Sequence, residues 1–330
     1  MNMKKLNTSG PKKVRVLDGI PMLIIVAVLI VALVVVGFVG SNNTRRILVR
    51  IFLYCTMASM WNLMSGYTGM TSLGQQAFVG LAGYSMAVIT TTCGMSYVVG
   101  WAVGGAVGAV IALVLSVILF RMRGMYFAIA TWVIAEAFKT FFTSWKFVKE
   151  GNGMSVSGRP GREAIYLMAL GLLVVALVVI YLLLKSRIGL GLTAMRDDAD
   201  AASSVGVNIF KSKLLCFVIA GLFTALAGGL YFLNNITIYP TSGFSNSWTV
   251  AVVFITIIGG IGTMAGPIVG TLVYILLDEI LVKLLPGEWT NIVLGAIAIL
   301  VILFLPDGIL GTLQKKFNFE ILSQKRFSKE

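Results

Sequence analysis

Ten apolar stretches of roughly membrane-crossing length leave this chain few folds to choose from. They cover residues 20–40, 47–65, 72–92, 98–120, 125–145, 164–185, 213–235, 248–261, 266–285 and 290–306. A helix needs about 20 apolar residues to cross the hydrocarbon of a bilayer. Of the 330 residues, 58% are hydrophobic and only 12% are charged, where a soluble domain carries about a quarter. Too little polar surface remains to cover a water-soluble globule. The expected fold is therefore all-α: a polytopic membrane protein with about ten transmembrane segments. The third, eighth and ninth stretches are short or interrupted by glycine and polar residues, so one or more helices should be broken or short. This divides the chain into an N-terminal tail (1–19), a membrane domain (20–306) and a C-terminal tail (307–330).

The net charge of +13 is spread over short connections and both tails. That pattern records membrane orientation rather than a nucleic-acid surface. Threading ten segments with both termini in the cytoplasm puts 17 of the 26 basic residues inside and 9 outside. One segment more or fewer would move the basic C-terminal tail outside, against the positive-inside rule. Cys55, Cys93 and Cys216 lie in or beside apolar runs without paired spacing and are expected as buried thiols, neither disulfides nor metal ligands. Histidine is absent, which removes the commonest metal ligand and the commonest general base. No cofactor or metal is expected, and no nucleophile–base pair for an enzyme.

Two polar, glycine-rich stretches interrupt apolar runs: GYTGMTSLGQQAFVG (66–80) and GGIGTMAGPIVG (259–270). Irregular backbone at membrane depth survives only where protein buries it or it lines a watery cavity. Broken helices of this kind point to a substrate route; the competing reading is a tight turn between closely packed helices. Tyr67, Thr68, Thr71, Ser72, Gly74, Gln75 and Gln76 are the candidate route residues. Their neutral hydrogen-bonding groups suit a small polar solute or zwitterion that must pass without being trapped. Glu136, an intramembrane carboxylate, joins them as a candidate, with Lys139 one turn on as a possible partner. Asp278 and Glu279 fall toward the outer end of the ninth stretch and suggest an exit or docking role.

The inner connection 186–212 differs from the exposed, Gly- and Ser-rich outer connection 146–163. Gly189 and Gly191 precede a polar stretch from Thr193 to Val205, expected to be one helix stopped at Gly206. Asp197 and Asp198 near its start suit the helix dipole. A helix so polar and short needs something to lie against. Within it, DAASSVG (Asp200 to Gly206) fits the spacing E-A-A-x-x-x-G with Asp for Glu, the motif of the coupling helix of bacterial ABC importer permeases. The wider strings AMRDDADAASSVGVNIFKSKLLCFVIAGLFTALAGGLY, LMSGYTGMTSLGQQAFVGLAGYSMAV, RMRGMYFAIATWVIAEAF and IIGGIGTMAGPIVGTLV cover most of residues 60 to 275. In this order they resemble the branched-chain amino acid permease family of the LivM-like type.

The resemblance implies a bacterial inner-membrane permease subunit of an ABC importer for branched-chain or other neutral amino acids. It implies a second, related permease subunit, two cytoplasmic ATPases and an extracytoplasmic solute-binding protein, all within membrane lipid. It implies that Arg196, Asp197, Asp198, Asp200, Ala201, Ala202 and Gly206 couple to an ATPase. No G-x-x-x-x-G-K-[ST] occurs in the chain, so ATP must be bound elsewhere. Many relatives read S-L-G-H-A-A-F where this chain has Gln75 and Gln76 after Gly74, which argues against a proton relay there. Urea, short amides or nucleosides are the alternative cargoes. The alternative of another class is a stand-alone secondary transporter, which would need a driving-ion site built from Glu136, Asp278 or Glu279.

Overall fold

The computed structural model describes residues 15–17, 20–305, 308–317 and 319–321; the rest of the two expected tails lies outside them. β1 (Arg15–Leu17) leads into α1 (Ile20–Val39) and α2 (Asn42–Thr68). After the link 69–74 come α3 (Gln75–Ala87), prolonged by a wide π turn over Val88–Thr92, then α4 (Tyr97–Leu119) and α5 (Met125–Ser144). The connection that follows carries β2 (Met154–Ser155). Next are α6 (Arg162–Lys185), α7 (Arg187–Asp197), α8 (Ala199–Ser204) and α9 (Ile209–Asn235). The chain continues through β3 (Thr237–Ile238), α10 (Pro240–Gly243), α11 (Asn246–Gly259), α12 (Gly266–Leu284), α13 (Gly287–Phe304), α14 (Gly308–Phe317) and β4 (Phe319–Ile321). The strands are minor: β2 pairs antiparallel with β3 and β1 parallel with β4.

Among the described residues, six helical segments are long and apolar enough to cross a membrane: α2, α4, α5, α6, α9 and Pro240–Gly259. Ten were expected. The ninth stretch does form α12, but it carries Asp278, Glu279 and Lys283 toward one end. The third forms α3 and the π turn that prolongs it, and its first residues, 72–74, belong to the irregular link. In α1 and α13 the shorter apolar helices Ala27–Val39 and Ile292–Val301 stand out.

α9 is the central post, packed against α2, α3, α4 and α6. Small residues make this possible, because helices in lipid associate through close packing. A Cβ on Gly108 of α4 would sit 2.3 Å from the Ala225 Cβ of α9, and one on Gly228 of α9 would sit 2.7 Å from the Val79 Cα of α3. α1 leans on α6 through the Tyr166 hydroxyl, which donates to the Leu33 carbonyl at 2.7 Å. Arg45 closes the C-terminal end of α1 by donating to the Gly37 and Phe38 carbonyls while pairing with Glu163.

The two ends of the bundle are distinct. At one, the connection 146–163 folds over the end of the π turn: Thr91 Oγ1 donates to the Ser155 carbonyl at 2.5 Å and Ser157 N to Thr90 Oγ1 at 3.3 Å. At the other lie α7 and α8. The single helix expected over Thr193 to Val205 is two helices, and Gly189 and Gly191 fall inside the first. The break comes at Asp198, which turns extended and caps α8 by accepting from Asp200 N and Ala201 N. Gly206 does take the left-handed conformation, φ 89°. Cys55 and Cys216 are buried as expected, but Cys93 is exposed because the turn after Thr92 leaves the bundle.

The small-residue packing gives a direct expectation. Gly228→Val should lose about 2 kcal/mol or more through overpacking against Val79. Gly171→Val, at a site with open space within 4 Å, should not. Fluorescence-detected gel filtration after detergent extraction checks it, with a monodisperse peak expected for the second variant only.

Candidate functional site

α3 and α11 are the discontinuous elements, and they meet head to head. α3 runs from Gln75 toward the 146–163 end. α11 runs from Asn246 toward the opposite end, where Gly259 closes it. Their first turns touch: Gln75 N donates to Thr249 Oγ1 at 3.1 Å, and Gln76 Nε2 donates to Asn246 Oδ1 at 2.9 Å. Thr249 Oγ1 in turn donates to Gln76 Oε1. Gln75 Oε1 accepts from Thr224 Oγ1 of α9 at 3.3 Å. Thr224 lies near the middle of α9, about 23 Å along a helix of about 40 Å, so this polar junction sits at mid-depth in the bundle.

The link 69–74 reaches the junction from the end of α2. Trp61 Nε1 donates to the Ser72 carbonyl at 2.8 Å, Gly74 N to Ser72 Oγ at 3.3 Å, and Leu73 N to Thr131 Oγ1 of α5 at 3.0 Å. From the same helix, Trp132 Nε1 reaches Asn246 Oδ1 at 3.1 Å. Gln75 and Gln76 are 1% and 0% exposed. The inner part of the link, Ser72 to Gly74, is thus held by hydrogen bonds from protein, as membrane depth requires, while Gly69 and Thr71 are exposed. On the 146–163 side an aromatic layer covers it. Phe244 packs on α3 at Gly80, where a Cβ would lie 2.4 Å from its ring. Tyr84, Phe138 and Phe142 surround Phe244, with ring centroids 6.1, 6.5 and 5.2 Å away.

A second polar knot lies at the α7–α8 end. Asn62 of α2 uses both ends of its carboxamide on the break between α11 and α12. Its Oδ1 accepts from Gly262 N and its Nδ2 donates to the Thr263 carbonyl, both at 2.8 Å. One turn on, Gly66 packs so tightly that a Cβ would lie 2.3 Å from Asn62 Oδ1 and 2.6 Å from Gly262 N. Its carbonyl accepts from Arg196 Nη1 of α7 at 2.7 Å. The N-terminus of α14 closes on the same break, since a Cβ on Gly308 would lie 2.6 Å from Gly260. One arginine therefore ties the 186–212 segment to both interrupted regions.

The candidate route residues do not form one group. Ser72, Gly74, Gln75 and Gln76 come together at the junction. Tyr67 and Thr68 are buried in the last turn of α2, where Thr68 Oγ1 donates to the Met64 carbonyl at 2.5 Å. Thr71 is exposed, 3.5 Å from Ser65 Oγ. Glu136 stands one turn from Trp132 on α5. Its Oε1 takes Lys139 Nζ at 2.8 Å, and its buried Oε2 has no hydrogen-bond partner among the described residues. Asp278 and Glu279 hold Arg50 of α2 at 2.5 and 2.8 Å, which makes them a clamp between α2 and α12.

In the inner connection, Asp197, Asp198, Asp200, Ala201 and Gly206 are exposed. Ala202 is 2% exposed and packs inward with Leu192 and Met195, and Arg196 points its guanidinium at α2. Asn62, Thr131, Trp132, Thr224, Asn246 and Thr249 escaped the sequence reading. None of them belongs to a recognisable motif, and each has a partner far away in sequence. Among the described residues no group of three His, Cys, Asp or Glu side chains gathers as a metal site.

Comparison with known proteins follows the same lines. Residues 43–302 match the family described as branched-chain amino acid transport system / permease component. The high-affinity branched-chain amino acid transport system permease protein LivM of Escherichia coli (strain K12) is 26% identical over 92% of this chain and 79% of its own length. LivH, a permease protein of the same description and strain, is 34% identical over 38% of this chain and 40% of its own. The autoinducer 2 import system permease protein LsrC of Salmonella paratyphi B (strain ATCC BAA-1250 / SPB7) is 31% identical over 41% of this chain and 40% of its own. With its interrupted helices and a matched region that takes in both polar breaks and the α7–α8 segment, the chain belongs to the branched-chain amino acid transport system permease family.

Proposed function

We propose that this chain is a permease subunit of an ABC importer that moves branched-chain or other neutral amino acids across the bacterial inner membrane. It works with a second homologous permease subunit, two cytoplasmic ATPases and an extracytoplasmic solute-binding protein. Ten membrane segments, with both termini and the 186–212 segment in the cytoplasm, satisfy the positive-inside count. The observation that carries the reading is the Arg196 bond to the Gly66 carbonyl. The segment that offers Asp197, Asp198, Asp200 and Ala201 to solvent is bonded, through its own arginine, to the helix end preceding the polar link.

The mechanism follows from that linkage. ATP binding draws the ATPases together and displaces α7 and α8. Arg196 passes the displacement to Gly66 and, beside it, to the 260–263 break held by Asn62. The link 69–74 then shifts relative to α5 and α11, and the junction at Gln75 opens to one side of the membrane at a time. Such alternation needs elements with two discrete arrangements, and short helices joined by glycine-rich links supply them.

A stand-alone secondary transporter is the weaker reading. Its driving ion would need an available carboxylate, whereas Glu136 is paired with Lys139 and both Asp278 and Glu279 with Arg50. The likeness to LsrC over part of the chain keeps cargo other than amino acids within reach of the scaffold.

Two outcomes test the importer reading. With Asp198→Lys and Asp200→Lys combined, ATP-dependent uptake should collapse and co-purification of the ATPases should weaken, while membrane insertion persists. Uptake that survives in cells lacking every candidate ATPase would overturn the proposal. Arg196→Ala should leave ATPase co-purification and ATP hydrolysis in place but lower uptake about tenfold, the cost of a charged hydrogen bond. Parallel uptake and phosphate-release assays on the reconstituted complex check this, and equal losses in both would show that Arg196 only holds the fold.

A further inference from the structure

The head-to-head meeting of α3 and α11 has a chemical consequence. A helix N-terminus carries about half a positive charge and free N–H groups, and attracts anionic oxygens. Here two such ends, of 13 and 14 residues, meet at mid-depth: that of α3 is buried at Gln75 and Gln76, and that of α11, capped by Ser245, is open at Asn246 and Ser247. α3 has no side-chain N-cap of its own: Gly74 offers none, and the first N–H of the helix takes a hydroxyl of α11 instead. No acidic residue lies in either first turn.

The second observation is an unmet donor in the same place. Gln75 is 1% exposed, its Oε1 takes the Thr224 hydroxyl, and its Nε2 has no hydrogen-bond partner among the described residues. A buried donor left unmet is costly and invites an acceptor. Its neighbour shows the contrast, for the Gln76 carboxamide is engaged at both ends by Asn246 and Thr249. One glutamine thus fastens α3 to α11, and the other keeps an unmet N–H where its carboxamide meets Thr224 of α9.

We propose that the facing N-termini of α3 and α11, together with Gln75 Nε2, form a mid-membrane site that receives the carboxylate of the travelling solute. This rests on the importer reading and deepens it by committing the cargo to molecules bearing a carboxylate, against urea or a nucleoside. Donors without a fixed cation suit a way-station: they orient the anionic end and let it go, where a buried lysine or arginine would retain it. The aromatic layer at Phe244 covers the site from one side and the Gly69–Gly74 link from the other, so the solute is enclosed between the two until one of them moves.

The test uses the whole complex, with its ATPases and solute-binding protein, in proteoliposomes and three labelled probes: leucine, urea and uridine. Wild type should accumulate leucine on addition of ATP. Gln75→Leu should cut leucine uptake about tenfold, the worth of one donor to a charged group. Its assembly and its ATPase stimulation by the loaded binding protein should stay within about twofold of wild type. A Gln75→Leu complex that carries leucine at the wild-type rate overturns the proposal. So does one that loses assembly and ATPase stimulation in step with uptake, because Gln75 then only holds the fold. ATP-driven uptake of urea or uridine without leucine also overturns the carboxylate site and leaves the importer reading standing. Absence of ATP-driven uptake of all three overturns both.

Discussion

A peptide group left unpaired in a dry interior costs several kcal/mol, and Asn62 supplies partners for two of them where α11 gives way to α12. Its single carboxamide satisfies Gly262 N and the Thr263 carbonyl at the break between α11 and α12. The break holds one end of α11, and near its other end Thr249 and Asn246 meet the beginning of α3. The contact of Arg196 with Gly66 lies one turn from this same amide.

Much of this was legible in the sequence, and the part that was not has a common cause. Glycine clusters at 66–74 and 259–266 mark both interruptions, because few other residues permit such close approach or such dihedrals. Gly206 marks the end of the inner segment for the same reason, and Lys139 is found with Glu136 because the pair is local. Each missed feature depends on a partner distant in the chain. Asn62, Thr224 and Asn246 look like stray polar residues until the residues 149 to 201 positions away are in place. The split at Asp198 was hidden for another reason: an aspartate reads equally well as a residue of the first helical turn and as a cap, and only the backbone chooses. The number of membrane segments was legible as a set of apolar runs but not as a set of full-length helices, since a half-helix and a whole one share a composition.

The two polar sites are unlike in kind. At the α7–α8 end, hydrogen bonds run between backbone and a few side chains, are directional and saturate, and suit the transfer of a displacement. At the junction, side-chain amides and hydroxyls dominate, and one donor remains unspent. Between that junction and the 146–163 end lie rings, whose contacts are non-directional and can part and reform without stranding a polar group. A stiff connection on one side and a yielding one on the other let the same short helices answer an input from one end and admit a solute from the other.

Gly66, Asn62 and Gly262 interlock so closely that no side chain fits between them. A larger side chain at Gly66 would therefore have to displace Asn62 or the backbone of the break, so the three positions should change together or not at all.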